Sequence, residues 1–311
     1  MDATTSTDFG RILTAMVTPF RNDSTLDVDA AQGLARYLTR TGWNDGLVVN
    51  GTTGESITTS DVEKRAVIEA VVDAVDPSVK VVAGVGTADT RHSVELAHQA
   101  EAAGAAGLLV VTPYYSRPSQ RGLVDHFRAI ADATSLPVML YDIPKRAGVG
   151  IDAGTVALLS EHPRITALKD ARGDLEFSSW VLRETDLRVY SGDDALNLPF
   201  LAIGASGFVS VVGHFVADRL RQMQEAYARG DVVAAQEIHV GLLPVFRAVF
   251  RHPGVATTKA GLGALGMPVG PTRAPMAGLT IGETAALMAD LRDAGVESAL
   301  RVLVGSSGTT R

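Results

Sequence analysis

Ile165-Thr166-Ala167-Leu168-Lys169-Asp170 reads as four residues of buried strand followed by a lysine where the strand should end. A lysine is rarely buried without a partner. Burial disfavours its ammonium form and draws the pKa down from about 10.4, and a neutral amine is a nucleophile towards carbonyl carbon. The other reading is a strand-end lysine paired with Asp170 at the surface. What the neighbouring strands bring to the same end decides between the two.

Seven more runs of the same character surround this one: Ile12–Val17, Gly46–Val49, Lys80–Gly84, Gly107–Val111, Val138–Tyr141, Arg188–Tyr190 and Gly207–Val211. They are nearly continuous in Val, Leu, Ile and Ala, as parallel strands covered on the outside by helices must be. Between them the apolar period lengthens to that of helices: Asp29–Thr41, Ser60–Ala74, Thr90–Ala103, Ser119–Thr134, Asp152–Ser160, Asp174–Glu184, Asp194–Ile203 and His214–Arg229. Ser60 followed by Glu63 is a capping box, and Gly104 is a stop signal. Strand then helix, eight times, predicts an α/β fold, a (β/α)8 TIM barrel over residues 11–229. A doubly wound open sheet is the competitor, and the even spacing favours closure. After Gly230 the strands cease. Asp231–Arg251, Val255–Leu265 and Thr280–Ala294 predict a C-terminal helical appendage within residues 230–299, whose simplest role is to cover barrel helices or make subunit contacts. Residues 1–10 read as a flexible lead and 300–311 as a disordered tail.

The 311 residues are 46% hydrophobic and 20% charged, enough for a large core, with a net charge of -7 that argues against a nucleic-acid partner. The absence of cysteine excludes thiolate chemistry and a disulfide framework. Met1 to Gly10 lacks the apolar core of a signal peptide, and no apolar run suggests a membrane span. The expectation is a cytoplasmic protein. The histidines are scattered without His-x-His or His-Glu-x-x-His spacing, so no metal site is expected.

In such barrels chemistry sits at the C-terminal ends of the strands. After the second strand, Gly51-Thr52-Thr53-Gly54-Glu55-Ser56 frees the backbone to approach a ligand and offers amides and two hydroxyls to an anion. It also reads as a turn with threonines capping the next helix. After the fourth come Thr112-Pro113-Tyr114-Tyr115-Ser116-Arg117-Pro118, two stiffly held tyrosines suited to a subunit interface or to packing. The fifth ends Tyr141-Asp142-Ile143-Pro144-Lys145-Arg146: a phenol able to carry protons and an arginine able to clamp a carboxylate. The seventh leads into Ser191-Gly192-Asp193-Asp194, where a helix cap explains an aspartate. A lysine, a tyrosine, paired threonines and an arginine at one rim suit a carbonyl substrate that carries a carboxylate.

These motifs resemble the dihydrodipicolinate synthase family, pyruvate-dependent class I lyases and synthases on a (β/α)8 barrel. The likeness runs from about Gly10 to about Met276 and rests on Val17-Thr18-Pro19-Phe20 together with the rim motifs quoted above. It implies Lys169 as the Schiff-base lysine and Tyr141 as the proton shuttle. Thr52 would link two tyrosines in a relay, and Tyr115 would reach across a dimer into the neighbour's site. Thr53 and the loop amides would cradle the pyruvate carboxylate, Arg146 the carboxylate of a second substrate, and Gly192 and Val209 would line the site near the lysine. The implied reaction joins pyruvate to L-aspartate 4-semialdehyde and gives 4-hydroxy-tetrahydrodipicolinate on the diaminopimelate route to lysine, with no cofactor, in a homotetramer built as a dimer of dimers.

Asp142 stands where an asparagine is more usual, and Lys145 adds a charge beside Arg146. The closest rivals are other pyruvate aldolases, such as a sialic-acid lyase or a 2-keto-3-deoxy sugar-acid aldolase. More distant ones are a catalytically silent barrel and a phosphate-binding isomerase, which would need an acid-free glycine loop after the last two strands. Members of the family that respond to L-lysine use histidines, an asparagine and a glutamate. The corresponding positions here read Asp61, Lys64, Ala88 and His92, while Ser56 and Tyr114 remain. Weak or absent feedback is expected.

Overall fold

The computed structural model describes residues 9–296. Eight parallel strands close into a barrel in sequence order: β1 (Ile12–Ala15), β2 (Gly46–Val49), β3 (Lys80–Gly84), β4 (Gly107–Val111), β5 (Val138–Asp142), β6 (Ile165–Asp170), β7 (Arg188–Ser191) and β8 (Gly207–Ser210). β8 returns to β1 with Leu13 opposite Val209, which leaves no free edge. The (β/α)8 expectation therefore holds, and the open sheet is excluded.

The helices follow in turn: α1 (Val28–Thr39), α2 (Asp61–Ala74), α3 (Thr90–Ala102), α4 (Gln120–Asp132), α5 (Pro144–Ala147), α6 (Ala153–Ser160), α7 (Leu175–Glu184), α8 (Asn197–Ala202), α9 (Gly213–Ala228), α10 (Val232–Phe250), α11 (Gly254–Ala264) and α12 (Ile281–Asp293). The capping box opens α2: the Ser60 hydroxyl accepts from Glu63 N–H and the Glu63 carboxylate accepts from Ser60 N–H. A second box, Thr280 with Glu283, opens α12. Two details depart from the sequence reading. The segment from Asp194 begins as a 3-10 turn before α8, and α5 is a single helical turn started by Pro144.

Strand alternation sorts the core into two layers. Outward side chains such as Ile12, Leu47, Val49, Leu108, Val110, Leu140 and Leu168 pack against the helices. Each Val, Leu or Ile so buried is worth about 1.5–3 kcal/mol, so this layer is a main source of the barrel's stability. Inward side chains form a separate stack of Leu13, Ala15, Val48, Val82, Leu109, Met139, Ala167, Tyr190 and Val209. Phe9, expected to lie in a flexible lead, instead plugs the N-terminal end of this stack. Its ring meets the Tyr190 ring edge-on at 6.3 Å, and Gly107 is bare beneath it, since a Cβ there would come within 2.5 Å of Phe9. The proposed tail of residues 300–311 lies outside the described residues.

One expectation needs correcting. α10 is long and apolar enough, by length and composition, to cross a bilayer. It carries Pro244, and its buried face of Leu242, Val245, Phe246 and Val249 packs within the main core. It packs against α9, α11 and α12, so in this fold it serves as a packed helix.

Candidate active site

β6 settles the choice posed by its lysine. Leu168 and Asp170 point outward, and Ala167 and Lys169 point into the barrel, so Lys169 and Asp170 cannot pair. Asp170 is fully occupied elsewhere. One oxygen accepts from Arg172 N–H and Gly173 N–H, the other from the Ser178 hydroxyl. Lys169 is 6% exposed, and its Nζ lies 4.0 Å from the centroid of the Tyr141 ring. Tyr141 is its direct neighbour across the β5–β6 register. Gly192 makes this possible: a Cβ there would sit 2.9 Å from Lys169 Cε and 2.9 Å from the Asp170 carbonyl oxygen. The glycine after β7 is room for the lysine side chain.

Above the amine opens a cavity of about 470 Å³. Thr52 and Thr53 form one wall, Tyr114, Ile143 and Arg146 another, and Lys169, Tyr141 and Gly192 contribute to its lining. Gly84 and Gly86, also in its lining, let neighbouring backbone come close on the β3 side, because a Cβ on either would strike backbone at 2.3–2.4 Å. The threonine loop turns sharply, with Asn50 at φ 54° and Glu55 at φ 56°, both in the left-handed region. Thr18, in the segment after β1, donates to the Gly54 carbonyl and fastens the loop from below. Burial pushes the Tyr114 phenol above its ordinary range.

Two of the candidate residues stand apart from this group. Val209 is a layer deeper, in the inward stack, and the cavity wall at β8 is formed by Val211. Tyr115 is 95% exposed and turned away from the cavity of its own chain. Its backbone holds a left-handed φ of 72°, fixed by an N–H to the Ala147 carbonyl, and Arg117 nearby is also left-handed. The Tyr115 backbone is thus held in place while its ring is left uncovered by its own chain.

The aspartates near the rim are struts. Asp194 is buried. Its carboxylate accepts from Ser210 and Asn197 side chains and from Val211 and Val212 N–H, which pins the end of β8. Asp193 caps the following turn. Asp142 is fully buried and meets Arg172 Nε at 2.6 Å, while Arg172 also donates to the Ile151 carbonyl. Burial pushes the Asp142 carboxyl up to about 6, against the pull of Arg172. Among the described residues no three His, Asp or Glu side chains converge on a metal position.

Sequence reasoning missed the roof. Phe250, Pro253, Gly254 and Val255 at the α10–α11 junction, with Arg273, Pro275 and Met276, complete the cavity wall. The C-terminal helices thus do more than cover the barrel. No local pattern marks these residues, because each reaches the site only through the fold of a segment about two hundred residues from the threonine loop.

A closed parallel barrel with a buried amine and a phenol at its C-terminal mouth defines the class of (β/α)8 enzymes that work on carbonyl compounds. Residues 8–294 match the Dihydrodipicolinate synthetase family, and the chain belongs to that family. It is 59% identical to 4-hydroxy-tetrahydrodipicolinate synthase 2 of Streptomyces coelicolor over 95% of this chain and 98% of that one. It is 57% identical to 4-hydroxy-tetrahydrodipicolinate synthase of Acidothermus cellulolyticus over 92% and 93%. Among solved structures, DHDPS from Cyanidioschyzon merolae, crystallised with lysine bound, superposes with a TM-score of 0.90 at 40% identity, covering 93% of this chain and 99% of that one.

Proposed function

We infer that the chain condenses pyruvate with L-aspartate 4-semialdehyde to 4-hydroxy-tetrahydrodipicolinate through a Schiff base on Lys169. The observation that carries this reading is the Lys169 amine, buried against the Tyr141 ring at the floor of a cavity walled by hydroxyls and an arginine. The high identity to synthases of that name supports the choice of aldehyde.

In this mechanism Nζ attacks the ketone carbon of pyruvate. Tyr141 delivers a proton to the departing oxygen, water leaves, and the imine forms. Loss of a methyl proton converts imine to enamine, whose carbon attacks the aldehyde. The amino group of the second substrate then displaces Lys169 from the former ketone carbon, closing the ring and restoring the free amine. Thr52 serves the proton relay, Thr53 and the loop amides hold the pyruvate carboxylate, and Arg146 holds the carboxylate of the aldehyde. Gly192 keeps space for the lysine, and Val209 supports the floor from below. The exposed Tyr115 completes the relay of a neighbouring subunit, in a dimer that pairs into a tetramer. Such an enzyme works in the cytoplasm.

Pyruvate followed by borohydride should fix a reduced three-carbon adduct on Lys169, read by peptide mass spectrometry. Turnover of the semialdehyde, measured beside N-acetylneuraminate and 2-keto-3-deoxy sugar acids, tests the second substrate. Turnover of the sugar acids alone would replace this reading with that of a sugar-acid aldolase.

A further inference from the structure

Beside the threonine loop lies a charged cluster without a part in the steps above; Glu55 and Arg273 border the cavity, and Lys259 lies behind them. Glu55 follows Thr53 by two residues and holds φ 56°, ψ 36°, a backbone conformation disfavoured for a side chain of its kind. Its carboxylate is buried. One oxygen lies 2.6 Å from Lys259 Nζ, and the other accepts from Arg273 N–H at 2.8 Å. Lys259, on α11, is 3% exposed, donates to the Pro271 carbonyl at 2.8 Å and sits 4.1 Å above the Phe20 ring. The Arg273 guanidinium stacks on the same ring at 4.0 Å. It also donates to the Thr58 carbonyl and grips both oxygens of Glu63 at the start of α2. Two cations from the C-terminal region therefore hold the stretch that follows Thr52 and Thr53, at Glu55, Thr58 and Glu63. Burial pulls the Lys259 ammonium below its ordinary range and the Glu55 carboxylate pulls it back.

We propose that the buried Lys259–Glu55 pair, with Arg273, is a latch by which the C-terminal helices position the threonine loop for substrate. Lys259 and Glu55 are positioning residues: neither acts on the reacting atoms, and both act through Thr52 and Thr53. The latch accounts for the left-handed backbone at Glu55, since a loop left to itself would relax from it, and for a carboxylate whose two oxygens are engaged by Lys259 and Arg273 in a loop otherwise suited to anions. It also gives the C-terminal helices a role in the chemistry. The proposal rests on the Schiff-base reading above in taking the two threonines as substrate contacts.

The test is steady-state kinetics of Lys259→Met, Glu55→Gln, the double variant and Lys259→Arg, with the unfolding midpoint of each measured separately. Loop displacement of about 1 Å is expected to raise the pyruvate KM or lower kcat/KM by about tenfold to a hundredfold in Lys259→Met and Glu55→Gln. The double variant should be no worse than either single, since the pair acts as a unit, and Lys259→Arg should recover most of the loss. Folded variants with lowered midpoints but parental KM and kcat would overturn the latch, leaving a purely structural ion pair. If Lys259→Met does not fold, Glu55→Gln and Lys259→Arg decide, because both keep the volume and part of the hydrogen bonding. Borohydride trapping on the parent protein separates the two ideas. No adduct on Lys169 sinks the Schiff-base reading, whereas a normal adduct with unaltered variant kinetics sinks the latch alone.

Discussion

The contact between Lys169 and Tyr141 contains two separable parts, a ring face and a hydroxyl. Tyr141→Phe keeps the ring 4.0 Å from Nζ and removes only the proton carrier. General acid–base catalysis by one side chain is worth about a hundredfold to ten-thousandfold, so kcat should fall by that order while the pyruvate KM moves little. Stopped-flow formation of the borohydride-trappable imine should slow in proportion. A variant that loses pyruvate binding instead would assign the tyrosine to packing. Asp142 makes a different prediction. Its folded carboxyl is held up to about 6 from 3.8, so the folded state binds a proton that the unfolded chain has released. Stability from this group is full below the unfolded value and is lost as pH rises through about 6. Asp142→Asn, which keeps the shape without the charge, should therefore gain on the parent as pH rises from 4 to 7, by up to about 3 kcal/mol. Urea midpoints of the two proteins at pH 4.5 and pH 7 read the difference directly. A gap that is constant with pH would show that Arg172 already keeps the carboxylate ionised.

At the scale of elements, α2 and α3 bear on regulation. The expected lysine-binding positions form a charge-satisfied group of their own. Both Asp61 oxygens lie 3.0 Å from His92 Nε2, and Lys64 is buried with its ammonium donating to the Thr59 carbonyl. An incoming L-lysine would need a free carboxylate for its α-ammonium and would find Asp61 engaged and a cation beside it. Inhibition by L-lysine should therefore be weak or absent, and half-inhibition at submillimolar concentration would refute this. The same elements show what a sequence can disclose. The strands were readable because burial on both faces leaves nearly unbroken apolar runs, and α2 because Ser60 and Glu63 satisfy its first amides locally. Lys169, Tyr141 and the threonine loop were readable because strand ends project to one rim. Glu55 with Lys259 and Arg273, the role of Asp142 with Arg172, and the roof at Phe250 to Val255 were not. Those contacts join segments whose only relation is the closed barrel, and a charged residue in a helix pattern looks the same whether it meets water or a buried partner.

For the molecule as a whole, the exposed Tyr115 and the sheltered Lys169 require different things of an assembly. Lys169 has its pocket within one chain, while Tyr115, at φ 72° and 95% exposed, lies outside that cavity. If each subunit lends Tyr115 to its neighbour across a twofold axis, the arrangement is reciprocal, and two differently damaged chains can repair each other. Lys169→Ala keeps a competent Tyr115 to lend, and Tyr115→Phe keeps a competent Lys169 to receive one. Each should be nearly inactive alone. In a mixed dimer the site built on the intact lysine receives the intact tyrosine from its partner, while the other site lacks both. Dissociating and reassembling the two variants in equal amounts makes about half the dimers mixed, so roughly a quarter of the parental activity should return. A tyrosine acting within its own chain predicts no recovery at any mixing ratio, since every lysine-bearing site would then lack its phenol. Recovery that appears on mixing, and disappears when the mixture is diluted until the dimer dissociates, would place the complete relay in the assembly.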